Sequence, residues 1–121
     1  MTEILLIDDD ESFRGMLARL LTRAGHSVVT CGDGKKGVEI FRKKPEYLVI
    51  TDLIMPDQEG IETIIQLRRE FPSVQIIAMS GGGRVSPNIY LDSAASLGAK
   101  RIFTKPFDTE EFLAAVQELT E

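Results

Sequence analysis

Four sets of polar residues sit in this chain at the ends of short apolar runs. In "ILLIDDDES" (4–12), four apolar residues lead directly into Asp8, Asp9, Asp10 and Glu11. Like charges this close repel, so carboxylates gathered beside a buried segment call for a counter-charge. The other sets are Asp52 after "YLVIT", Ser80 after "VQIIAM" and Lys105 after "RIFT". Clustered carboxylates are hard oxygen donors suited to Mg²⁺, which commonly takes one or two of them with waters and a phosphate. A serine hydroxyl and a lysine ammonium both suit phosphoryl oxygens. A carboxylate among them can attack phosphorus as a nucleophile. The combination points to phosphoryl transfer, with Asp52 the best-placed acceptor.

Each set is ordinary by itself. A run of aspartates is usually a solvated turn, a serine before "GGG" a loop residue, and a lysine before proline an exposed cation. Their joint occurrence at four apolar ends is what speaks for a site, and it makes demands on the elements that carry them. "ILLI" (4–7), "SVVTC" (27–31), "YLVIT" (47–51), "VQIIAM" (74–79) and "RIFT" (101–104) are short and apolar or β-branched, as strands are. Helical stripes lie between them. Phe13, Met16, Leu17, Leu20 and Leu21 form one, closed by Gly25, and Met16 is expected in the core with its stripe. Val38 and Phe41 mark a short second helix ending before Pro45. Ile61, Ile64, Ile65 and Phe71 mark a third, with Pro72 just beyond. A fourth is expected over about 87–97, ending at Gly98. The last begins at "DTEE", a capping box with Asp108 as N-cap and Glu111 reaching back, followed by Phe112, Ala115, Val116 and Leu119.

Five strands alternating with five helices predict an α/β fold of (βα)5 type: a parallel sheet, doubly wound, with helices on both faces. To cover both faces the strand order must reverse, leaving a crevice at the carboxyl ends of two strands. All four polar sets then share one rim of the sheet.

With 121 residues the chain is expected to form one domain, 1–121. It is 43% hydrophobic and 27% charged, with apolar runs too short to span a membrane. No signal-peptide pattern is visible. The single cysteine, Cys31, cannot form an internal disulfide and fits a reducing cytoplasm, most simply as a small buried hydrophobe. A net charge of −5 without a basic stripe argues against direct binding of nucleic acid. His26, in a turn after Gly25, is given no role.

"LLIDDDE", "VITDLIMPDQEG", "IIAMSG" and "LGAKRIFTKPF" resemble, in order and over essentially the whole chain, the receiver domains of two-component response regulators. That resemblance implies a flavodoxin-like three-layer fold with strand order 2-1-3-4-5. Asp52 matches the phosphoacceptor of the D-x-x-M-P motif. Asp8 and Asp9 match the acidic pair that holds Mg²⁺ together with Asp52, and Ile54 would add its backbone carbonyl. Ser80 matches the switch hydroxyl, and Lys105–Pro106 the lysine and its proline, joined by a cis bond. The backbone at Leu53 and Gly81 would contact the phosphoryl group. Asp10 and Glu11 match no ligand position and are expected to start the first helix, where negative charge suits the dipole.

The resemblance also implies a sensor histidine kinase or histidine phosphotransfer protein as donor, and a homodimer that forms on phosphorylation. No output segment follows the last helix, so output is expected from a separate protein or from a segment outside this sequence. Two departures touch the switch. A commonly aromatic position is Ile102, and Phe103 beside it faces the other way. The stretch from Ser80 to Lys105 is also longer than usual, with "GGGRVSPN" absorbing the difference. Ile54 and Gly82, which flank the path of a hydrolytic water, cannot orient it, so slow loss of the phosphate is expected. Two other readings compete. "DDDES" contains D-x-D-x-S, similar to the nucleophile motif of haloacid-dehalogenase-type phosphatases, with Asp8 as nucleophile and Asp10 as general acid. A degenerate receiver would be an interaction module only.

Overall fold

Runs of four or five apolar residues cannot bury both faces unless helices close over them, and the computed structural model of the chain shows that closure. It describes residues 3–53, 60–80, 96, 98–105 and 107–120. The strands are β1 (Glu3–Ile7), β2 (Ser27–Cys31), β3 (Leu48–Asp52), β4 (Ile76–Ser80) and β5 (Arg101–Thr104). The helices are α1 (Glu11–Arg23), α2 (Gly34–Lys43), α3 (Gly60–Glu70) and a C-terminal helix, Thr109–Thr120. All strand pairs are parallel, in the order β2-β1-β3-β4-β5. The chain runs outward from β1 to β2 and from β3 to β5, so the crevice opens between the carboxyl ends of β1 and β3. The helix expected near 87–97 lies, apart from Ser96, outside the described residues.

Side chains alternate between the two faces with period two. Leu5, Ile7, Val49, Ile76 and Ala78 pack with Val38, Phe41, Ile64 and Leu67 of α2 and α3. Ile4, Leu6, Ile50, Ile77, Met79 and Phe103 pack with Leu17 and Leu21 of α1 and with Phe112, Ala115 and Val116 of the C-terminal helix. The second face also holds a chain of rings. Phe13 meets Phe107 edge-on at 6.0 Å, Phe107 stacks on Phe112 at 4.8 Å, and Phe103 touches both Phe107 and Phe112.

The helix ends follow their local chemistry. Asp10 caps α1, its Oδ1 accepting from the Phe13 amide at 3.0 Å, and Glu11 lies in the first turn. At the other end Gly25 takes φ +99°, and the amides of Gly25 and His26 return to the carbonyls of Thr22 and Leu21, a Schellman closure. Asp33 caps α2 through the Lys36 amide, and Asp108 accepts from the amides of Glu110 and Glu111.

The expected core stripe of α1 needs one correction. Met16 is 40% exposed, and Ile65 on α3 is similar at 37%. Each immediately precedes or follows a fully buried residue (Leu17, Ile64), about 100° round the helix, and so falls on the edge of the stripe. The strand limits also shift: β3 runs through Asp52 and β4 through Ser80. Ladder bonds continue past both residues, from the Leu53 amide to the Met79 carbonyl (2.9 Å) and from the Lys105 amide to the Ser80 carbonyl (2.8 Å). Asp52 and Ser80 are therefore held by the sheet itself.

Candidate functional site

Period two carries Asp8 and Asp52 onto the face of Leu6 and Ile50, and Lys105 onto that of Phe103. At this rim the three charges converge. Asp8 is fully buried and tied at four points. Its amide donates to the Cys31 carbonyl (3.2 Å), and its carbonyl accepts from Arg14 Nη1 (2.8 Å). Its Oδ1 accepts from the Asp10 amide (2.9 Å), and its Oδ2 from Lys105 Nζ (2.8 Å). The same ammonium lies 3.7 Å from Asp52 Oδ1.

Oxygens of Asp8, Asp9 and Asp52 lie within 4.8 Å of one another, with Asp9 exposed and the other two buried. Burial pushes the Asp52 carboxyl from 3.8 up to about 6; Lys105 pulls against the rise, while Asp8 and Asp9 add to it. Asp8 and Asp52 thus share one ammonium, with the exposed Asp9 carboxylate beside them. Ser80 Oγ, wholly buried, has no hydrogen-bond partner among the described residues. A buried hydroxyl left alone is costly unless something else completes it. Oxygen-only donors, excess negative charge and an unclaimed hydroxyl are a donor set that fits a hard divalent cation with a phosphoryl group.

Of the residues singled out from the sequence, Asp8, Asp9, Asp52 and Lys105 come together, and Ser80 ends the neighbouring strand. Ile102 packs with the α2–α3 core, whereas Phe103 lies in the opposite core, so the two do face apart. Ile54, Gly81, Gly82 and Pro106 lie outside the described residues, and with them the carbonyl ligand, one phosphate-contacting amide and the cis bond. Asp10, the general acid of the phosphatase reading, is engaged as the cap of α1. Asp8, its nucleophile, is already paired with Lys105.

Three contributors leave little trace in the sequence. Arg14 reaches the Asp8 carbonyl by passing close over Gly32, where an added Cβ would stand 3.2 Å from Nη1. Gly60 brings α3 against the acceptor: a Cβ there would stand 2.0 Å from the Asp52 carbonyl oxygen, and its amide donates to the Leu53 carbonyl. Phe13 presents its ring to Lys105, with Nζ 4.1 Å from the centroid. Phe13 is visible in the sequence only as part of an apolar stripe and Gly60 only as a turn residue, while Arg14 gives no signal.

No helix among the described residues is long and apolar enough to cross a membrane. The response regulator receiver domain family matches residues 4–117. A probable chemotaxis protein CheY from Rhizobium etli is 34% identical over 120 residues, covering 95% of this chain and 89% of that protein. The DNA-binding transcriptional regulator NtrC of Azospirillum brasilense is 33% identical over 114 residues; these are 94% of this chain but only 23% of the regulator. Among solved structures, a response regulator receiver domain protein from Clostridium thermocellum superposes with a TM-score of 0.89 at 25% identity, over 98% of this chain and 93% of that one. A family match across nearly the whole chain, a shared strand order and an acidic rim converge: the chain belongs to the response regulator receiver domains of two-component systems.

Proposed function

We propose that this receiver accepts a phosphoryl group on Asp52 in an Mg²⁺-dependent reaction. The observation that carries the reading is a buried, under-neutralised Asp52 beside Lys105, with the unpartnered Ser80 hydroxyl ending the next strand. Asp8, Asp9 and Asp52, with the Ile54 carbonyl, would hold the ion. Bound Mg²⁺ supplies charge neutralisation for the carboxylates and polarises the phosphoryl oxygens.

An Asp52 oxygen attacks phosphorus in line. The new O–P bond forms as the P–N bond of a donor phosphohistidine breaks, and the imidazole leaves with the electron pair. Lys105 stays on Asp8 and turns from the Asp52 carboxylate to a phosphoryl oxygen, so its charge follows the charge being transferred. The Ser80 hydroxyl donates to a second oxygen and gains the partner it lacks. Backbone amides at Leu53 and Gly81 complete the cradle. The Leu53 amide already serves the Met79 carbonyl, so its contact requires that ladder bond to bifurcate.

The donor would be a sensor histidine kinase or a histidine phosphotransfer protein in the cytoplasm. The switched surface would be that around the expected fourth helix and β5, for a separate or covalently attached output partner or a second phosphorylated copy. Incubation with phosphoramidate and Mg²⁺, followed by peptide mapping of the phosphoprotein, tests the reading. Label on Asp52 alone is expected. Label on Asp8 with continuous phosphate release, or no label at all, would sink it.

A further inference from the structure

We infer that Phe13 is a positioning residue for Lys105, acting through the face of its ring; the inference rests on the phosphoacceptor reading above. Lys105 carries its charge on a flexible four-carbon stem, with three neighbours among the described residues to hold it. Two are carboxylates, Asp8 at 2.8 Å and Asp52 at 3.7 Å, and the third is the Phe13 ring at 4.1 Å from Nζ to centroid. That separation lies well inside the roughly 6 Å reach of a cation–π contact. The ring is itself braced, edge-on against Phe107, which stacks on Phe112. Phe107 follows Lys105 by two residues, so one segment supplies both the ammonium and the support for the ring that holds it.

Phe13 packs against the core shared with Leu17 and Leu21, but unlike these fully covered residues it is only partly buried and gives its ring to a cation. The chemistry explains the use of a ring. During transfer Asp52 becomes an acyl phosphate, so the attraction between its carboxylate and Lys105 changes as the reaction proceeds. The quadrupole of the ring does not change. It keeps the ammonium at the rim while one of its two carboxylate partners is consumed.

The test replaces Phe13 by mono-, di- and trifluorinated phenylalanines, which drain the negative face of the ring with little change of shape. The rate of Asp52 phosphorylation by phosphoramidate is followed at saturating Mg²⁺. Rates should fall stepwise, by about two- to fivefold across the series. Phe13→Tyr should keep the wild-type rate, and Phe13→Leu, apolar but without a π face, should fall at least as far as the most fluorinated ring. In a Lys105→Met background the residual rate should be indifferent to fluorination. Upfield-shifted Cε protons of Lys105 should mark the ring in the wild type and return to ordinary values in Phe13→Leu. A labelled wild type with a flat series and unshifted Lys105 protons overturns this inference alone. A wild type that takes no phosphate on Asp52 overturns the phosphoacceptor reading, and this inference with it.

Discussion

The two rims of the sheet handle charge in opposite ways. At the amino rim acids and bases pair one to one, in water. Glu3 pairs with Lys44, Arg101 with Glu118 at 3.0 Å, and Arg42 holds Glu70 through two hydrogen bonds of 2.8 and 2.7 Å. The Glu70 carboxyl is held below its usual range by Arg42, which is raised in turn. At the carboxyl rim two buried carboxylates share one lysine beside the exposed Asp9, and burial drives Asp52 the other way. Exposed pairs that balance add little and ask for nothing more. At the carboxyl rim the carboxylates of Asp8, Asp9 and Asp52 outnumber the one ammonium beside them.

The sharpest way to break this contrast is to exchange the rims' roles. Asp52→Ala should abolish covalent labelling by phosphoramidate, and Arg42→Ala should leave the rate at the wild-type value; intact-protein mass spectrometry reads both. A smaller but still large effect is expected where α3 presses on the acceptor. Gly60→Ala puts a methyl group 2.0 Å from the Asp52 carbonyl oxygen, with backbone on every near side. Overpacking of that kind costs on the order of 3 kcal/mol. Urea unfolding should show it, and a variant as stable as the wild type would mean that α3 is not seated there.

Mg²⁺ should stabilise the protein by about 2.7 kcal/mol at 100 times its dissociation constant. Asp9→Ala should remove most of the gain, and a melting temperature indifferent to Mg²⁺ would deny the rim its cation. Without the metal, pH should separate the rims. Unfolded Asp52 ionises near 3.8 and folded Asp52 near 6, so between these values the folded state holds the extra proton. Its contribution is fully present below 3.8 and is lost as pH rises to about 6, on the order of 2–3 kcal/mol. Asp52→Asn should lack this loss and be more stable than the wild type at pH 7 in metal-free buffer. The least effect belongs to the amino rim: Arg42→Ala should barely move the urea midpoint, and less again in high salt.

The sequence is legible where polar residues interrupt apolar runs. Asp8, Asp52, Ser80 and Lys105 stand out together: turn, loop or surface roles explain each alone but not all four at the ends of apolar runs. The strand order comes from resemblance and not from pattern, since alternation requires a reversal but does not say where. Strand ends differ from expectation by a residue or two because the ladder bonds past Asp52 and Ser80 leave no trace in hydropathy. Phe13 and Gly60 are hidden for a different reason. A phenylalanine in a helical stripe looks like core whether or not its face holds a cation. A glycine after "PDQE" looks like a turn whether or not a carbonyl lies where its side chain would be. Contacts made across the fold by residues of ordinary local meaning are invisible until the fold is known.

The bond between Lys105 and Asp8 joins residues 97 positions apart. A chain leaving the ribosome makes its acidic pair almost at once and its acceptor soon after, but the ammonium arrives only with β5, at the far edge of the sheet. Until that edge docks, the carboxylates are gathered with no lysine among them. On the phosphoacceptor reading proposed above, competence to receive phosphate therefore comes only once the fifth strand is in place.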